Sequence, residues 1–147
     1  MSDTLLLRLS GPMQSWGTQS RFDRRDTGRE PSKSGVIGLL CAALGRPRWE
    51  PVDDLAALRM GARIDQSGRV ERDFHTASSE RFYLVSGGSR SATVISDRFY
   101  LADAKFLVGL EGDGILLREI HMALRDPVWP LCLGRKAFVP GEPIWLP

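Results

Sequence analysis

The sequence predicts an α+β domain of the ferredoxin-like, RRM-like kind, a split βαβ arrangement in which an antiparallel sheet carries both helices on one face. Three observations predict it. Apolar runs and helical repeats follow one another in the order strand, helix, strand, strand, helix, strand; a Gly-Gly-Ser tract at mid-chain marks a projecting hairpin or finger within residues 77–98; and the last twenty residues are rich in Pro and Gly. With 147 residues, 42% of them hydrophobic, the chain is long enough for one domain, spanning 1–147, with a single core.

Each element has a local reason. "TLLLRLS" (residues 4–10) is a compact apolar run closed by Gly11-Pro12, the pattern of a buried strand. The polar stretch that follows is rich in Arg, Gly, Ser and Thr and has no helical period; at roughly 20 residues it exceeds ordinary loops in compact domains, and such loops are functional or disordered. "PSKSGVIGLLCAALG" (31–45) reads as a helix, with Ser32 as cap, Val36, Leu40, Ala43 and Leu44 at helical spacing and Gly45 as terminator. Its Gly35, Gly38 and Ala42 would keep one side smooth for close approach to a sheet.

After a Pro-rich connector, "LAALRMGARID" mixes a helical turn with a strand and "RVERDFHTA" continues as a second strand. "SSERFYLVSGGSRSA" (78–92) is the finger, and "TVISDRFYLADAKFLVGLEG" reads as two strands broken near Ala102-Asp103. A helix over 113–124 carries Ile115, Leu116, Ile120, Ala123 and Leu124 at helical spacing. "DPVWPLCLGRKAFVPGEPIWLP" reads as loops with one short strand.

Composition excludes several classes. Cys41 and Cys132 lie in separate segments without metal-ligand spacing, so neither a disulfide framework nor a zinc site is expected, and a reducing compartment is the simpler reading. The opening "MSDTLLLRLSG" has no basic n-region, its apolar run is short for a signal peptide, and no later stretch is long enough to span a bilayer, so the expected location is the cytoplasm. No metal or cofactor is expected.

Charge points to a polyanion. The formal net charge is only +2, but residues 8–48 hold eight Lys/Arg against three acids (Asp23, Asp26, Glu30), whereas the remainder holds twelve against fifteen. Positive potential is thus concentrated near the N-terminus, where "RFDRRDTGR" alone supplies Arg21, Arg24, Arg25 and Arg29. Planar guanidiniums match phosphate oxygens, and single-stranded RNA is held by such groups together with aromatic faces on which bases stack. Trp16 of "GPMQSWGT" is either a stacking face or a plug packed into the core, and Gln14 offers an amide able to read a base edge. Lys33 and Ser34, with Gly35, open the first helix, where free N–H groups favour an anion; a cap beside a solvated lysine is the bland alternative. In "LGRKAF", Gly134 permits close backbone approach while Arg135 and Lys136 add charge, although such triplets also form plain turns.

Five stretches, "LLLRLSGPMQSWG", "TGREPSKSGVIGLLCAALG", "DFHTA", "YLADAKFLVGLEG" and "LGRKAF", in this order and spacing, resemble the CasD subunit family of the type I-E CRISPR Cascade complex, within the RAMP superfamily. The resemblance covers nearly the whole chain. It implies a non-catalytic CRISPR RNA-binding subunit that holds the 5′ handle of the guide, caps the backbone filament of CasC subunits, contacts the large CasA subunit and meets target DNA indirectly through the complex. It also implies that the 77–98 finger is a thumb between handle and spacer, with His75 at its start and Arg81, Tyr83 and Arg90 able to touch RNA. The family continues past "GEPIWLP", so its usual C-terminal extension is expected to be absent here, and the finger is shorter than the family's.

Two other functions stay open. Some RAMP relatives cleave precursor RNA, which requires an acid and a base converging on one 2′-hydroxyl; His75, His121, Tyr83 and Lys136 are the titratable groups, and no spacing forces a pair of them together. His121, mid-helix among apolar neighbours, reads as a structural histidine. The other alternative is a general RRM-like single-stranded RNA binder.

Overall fold

The computed structural model describes residues 2–18, 24–84 and 86–147, with backbone alone at 79–83 and 89–92. The described elements run β1 (Ser2–Ser10), β2 (Met13–Gln14), β3 (Arg24–Arg25), α1 (Lys33–Leu44), α2 (Asp53–Ala56), β4 (Arg59–Gln66), β5 (Arg69–Tyr83), β6 (Ser89–Ala102), β7 (Lys105–Asp113) and α3 (Gly114–Arg125). The result is a mixed α/β protein with mainly antiparallel pairing and few helices.

The first sheet has the order β1-β7-β4, antiparallel throughout. Alternation along β1 sends Leu7 and Leu9 inward, opposite Val108 and Phe106 of β7, and all four are buried. On the far side of β1, Leu7 bridges antiparallel to Trp145 and the Arg8 N–H donates to the Ile144 carbonyl at 2.8 Å. The short C-terminal strand expected from the sequence is therefore a single bridge lying along the edge of β1.

Ser32 caps α1 by accepting from the Gly35 N–H at 3.1 Å, and Gly45 ends it in the left-handed conformation at φ 75°. The helix buries Val36, Leu39, Leu40 and Ala43. Of the expected smooth side, Gly35 makes a close approach, to the ring of Trp16 rather than to a sheet, whereas a Cβ on Gly38 would meet nothing within 4 Å. Arg46, just past the helix, donates to both carboxylate oxygens of Asp54 at 2.7 Å and ties α1 to α2, holding the Asp54 carboxyl down at about 2. In α3, capped by Asp113, the inward stripe is Leu117, Ile120 and Leu124; Ile115, expected on it, is 71% exposed. α3 packs on β1 and β7, and α1 packs on α3.

The second sheet is the β5–β6 hairpin, with β2 antiparallel and β3 parallel to β6. The projecting segment expected at 77–98 is hydrogen-bonded over a longer span, from Arg69↔Ala102 to Tyr83↔Ser89. "RVERDFHTA" and "TVISDRFYLA" pair with each other, so the finger is their continuation. At 3.3 Å per residue its 14–15-residue arms reach about 45 Å.

Candidate nucleic-acid interface

Residues 14–16 lie where the two sheets meet, and their burial decides what they can do. Gln14 is 0% and Trp16 1% exposed. The Gln14 amide donates to the Leu9 carbonyl at 3.0 Å and the Ala104 carbonyl at 2.9 Å, and its oxygen accepts from the Trp16 indole N–H at 3.1 Å. Every polar atom of this pair has a partner, which is what allows an amide to sit in a core. Neither expected RNA contact therefore stands: Trp16 has no free face for a base, and Gln14 has no hydrogen-bonding group left to read one. Trp16 is the plug.

The surface beside this plug is cationic. Strand alternation turns Arg24 and Arg25 to opposite faces of the second sheet. Arg24 pairs with Asp26 at 3.4 Å and its guanidinium lies 5.2 Å from the centre of the Phe99 ring. Arg25 stands directly beside Arg98 in the β3–β6 register. Arg135 reaches across from the C-terminal segment and donates to the Arg25 carbonyl at 3.4 Å. Burial, followed by the Arg98 and Arg25 charges, holds the pKa of Arg135 below its ordinary value, against a smaller opposing pull from Asp73 of β5, which stands opposite Arg98. Like charges placed side by side destabilise a sheet pair, and among the described residues none of these three guanidiniums has an ion-pair partner within 4.0 Å. Arg25 and Arg135 line a cleft of 180 Å³ with Ser15, Gly17, Asp26 and Gly134.

A close contact sets this cleft. Gly134 has φ 96°, and a Cβ there would overlap the Ser15 carbonyl oxygen. Only glycine fits, as the sequence anticipated for close backbone approach, but the surface approached is protein backbone. The Ser15 N–H in turn donates to the Leu133 carbonyl at 3.0 Å.

The other expected residues are dispersed. Arg29, Ser34 and Lys136 are exposed. Lys33 is exposed as well, but its ammonium donates to the Ala56 carbonyl at 2.6 Å, serving the end of α2 rather than an anion at the start of α1. His75 is half-buried on β5, 3.3 Å from the Asp73 carboxylate. His121 packs edge-on to Trp145, on a different element from His75. Arg21 and the side chains of Arg81, Tyr83 and Arg90 lie outside the described residues. Sequence reading missed Arg98, and it missed Phe74 and Ile95, which stand 58% and 52% exposed on one face of the hairpin. Burial pushes both free cysteine thiols up. Among the described residues, no three His, Cys, Asp or Glu side chains gather as metal ligands, and no helix is long and apolar enough to cross a membrane.

Fold and cleft together define a small α/β protein, antiparallel in its main sheet, whose polar centre is a set of guanidiniums between the arginine loop, the hairpin base and a glycine turn. A profile of the family described as CRISPR-associated protein (Cas_Cas5) matches residues 4–147, and the chain belongs to that family. It is 34% identical over 161 residues to the "CRISPR system Cascade subunit CasD" of Escherichia coli (strain K12), across 99% of this chain and 71% of that protein. Among solved structures it is similar to a "CRISPR RNA-guided surveillance complex" chain, with TM-score 0.89 and 40% identity over 97% of this chain. It is also similar to one described as "Crystal structure of Cas protein", with TM-score 0.78 and 51% identity over 99%. The chain spans 62% and 63% of the length of those two structures.

Proposed function

We propose that this chain is a non-catalytic CRISPR RNA-binding subunit of a Cascade-type surveillance complex. It holds the 5′ handle of the guide RNA, caps one end of the CasC filament beside CasA, and meets target DNA only through the complex. The observation that carries the reading is the convergence of Arg25, Arg98 and Arg135 from three distant segments, with mutual repulsion that an anion would relieve. The RNA backbone is the polyanion that membership of this family favours, since one similar protein is a Cascade subunit and another belongs to an RNA-guided surveillance complex. Arg24, Arg29 and Lys136 are exposed cations outside the lining of the cleft.

Two finer features fit the same reading. The single bridge of Trp145 to β1, beside the order β1-β7-β4, supports a ferredoxin-like split βαβ sheet. The β5–β6 hairpin serves as the thumb, its exposed Phe74 and Ile95 offering apolar surface to unstacked bases. The purified chain, titrated with a labelled repeat-handle RNA across a salt series, should bind with a steep log–log salt slope. Incubated with repeat RNA in EDTA, it should leave the RNA intact; cleavage abolished by His75→Ala would replace this reading with an endoribonuclease.

A further inference from the structure

We infer that Gln14 is a positioning residue for the arginine cluster, setting through Trp16 the place at which Arg25 stands against Arg135; the inference rests on the RNA-binding reading above. The Gln14 backbone belongs to the second sheet, paired with Leu101, while its side-chain amide holds the Leu9 and Ala104 carbonyls, at or just before the ends of two strands of the first. One side chain thus fixes the two sheets to each other. Its remaining atom, the amide oxygen, fixes the indole of Trp16.

Trp16 passes the constraint on. Its backbone N–H donates to the Thr27 hydroxyl at 2.9 Å, and its carbonyl accepts from the Gly28 N–H at 2.5 Å, gripping the arginine loop two and three residues after Arg25. Its ring is braced by Gly35 at the start of α1. Between the two, Ser15 takes the Leu133 carbonyl and abuts Gly134, which presents Arg135. Residues 14–16 therefore hold both limbs of the cleft; Ser15 is part of its lining, while the buried side chains of Gln14 and Trp16 stand behind it. An apolar isostere at position 14 would occupy the same volume without orienting anything, so the three hydrogen bonds separate positioning from filling.

The test measures single-stranded repeat-handle RNA binding by fluorescence anisotropy across salt, with thermal melts alongside. The proteins are wild type, Gln14→Met, Trp16→Phe, Arg25→Ala and the Gln14→Met/Arg25→Ala double variant. All binding is read well below each melting temperature. Gln14→Met is expected to weaken binding about tenfold at low salt and to flatten the salt slope by about 0.7, the loss of one phosphate contact on a single strand. In the Arg25→Ala background it should change affinity by less than about twofold, because its effect runs through Arg25. Wild-type affinity and slope in folded Gln14→Met, or a full additional loss in the double variant, would overturn the inference while leaving the RNA reading intact. Unchanged binding in Arg25→Ala would remove both. Should Gln14→Met not fold, Trp16→Phe, which keeps a six-membered aromatic ring but loses the pyrrole ring together with its N–H donor to Gln14, carries the same expectations and the same refutation, read well below its own lower melting temperature.

Discussion

Truncating Trp16 to alanine tests whether the aromatic of "GPMQSWGT" is a plug. The ring is 1% exposed and rests on Gly35, where an added Cβ would come within 2.7 Å of Cε3. Removing a fully buried aromatic costs about 3–5 kcal/mol, and the Gln14 amide oxygen left without its indole donor adds about 1 kcal/mol or more. Against a typical total of about 5–15 kcal/mol, the variant should be barely stable. At roughly 2–4 °C per kcal/mol for a chain of this size, its Tm should fall by roughly 10–20 °C. Urea unfolding and calorimetric melts on wild type, Trp16→Phe and Trp16→Ala provide the measurement, with the phenylalanine variant falling between the other two. A loss below about 1 kcal/mol, accompanied by abolished RNA binding, would show the ring to be a base platform and refute the reasoning.

Opposite signs are expected at two glycines of α1: Gly35→Ala should destabilise by about 1–3 kcal/mol because its Cβ meets the Trp16 ring and Ser32 Oγ, while Gly38→Ala, facing open space, should stabilise by about 0.5–1 kcal/mol. Denaturant midpoints read both. Gly134→Ala should cost at least about 1–3 kcal/mol for left-handed backbone strain and should weaken RNA binding together with stability, since it displaces Arg135; melts and titrations on one preparation check the pairing. Arg46 holds the Asp54 carboxyl near 2, below its unfolded value of 3.8, so the stabilisation is present above pH 4 and lost as pH falls from there towards 2. With Asp54 45% exposed, solvent screening leaves about 1 kcal/mol, which Asp54→Asn should remove at pH 7 and not at pH 2 in urea titrations. Arg25→Ala should reduce RNA affinity more than Arg24→Ala, because Arg24 already has Asp26 and Phe99 for company; anisotropy titrations rank them.

Locally encoded features were legible in the sequence. The Ser32 cap, the Gly45 terminator, the first strand and the break after Ala102 all depend on residues within a few positions of one another. Features that depend on register were not. Arg98 looks like any strand arginine until the parallel β3–β6 pairing puts it beside Arg25. Nor was the extent of the hairpin legible, because pairing between its two strands cannot be read from either alone. Ile115 and Leu117 both fit a helical period, and only the position of α3 over β1 and β7 selects the second. Gln14 carried a usable signal: an uncharged amide two residues from a tryptophan, with a small serine between them, is the side chain that can satisfy two carbonyls and an indole together. Lys33 carried none, since its acceptor lies 23 residues away.

The central claim, that Arg25, Arg98 and Arg135 form an RNA phosphate site, is tested most directly by the salt dependence of repeat-handle RNA binding in the Arg25→Ala/Arg98→Ala/Arg135→Ala variant beside wild type. Three lost phosphate contacts on a single strand should flatten the log–log slope by about two and weaken binding at least a hundredfold at low salt, with the melting temperature equal to or above that of wild type as the repulsion is relieved. Superimposable salt slopes for the two proteins would contradict it.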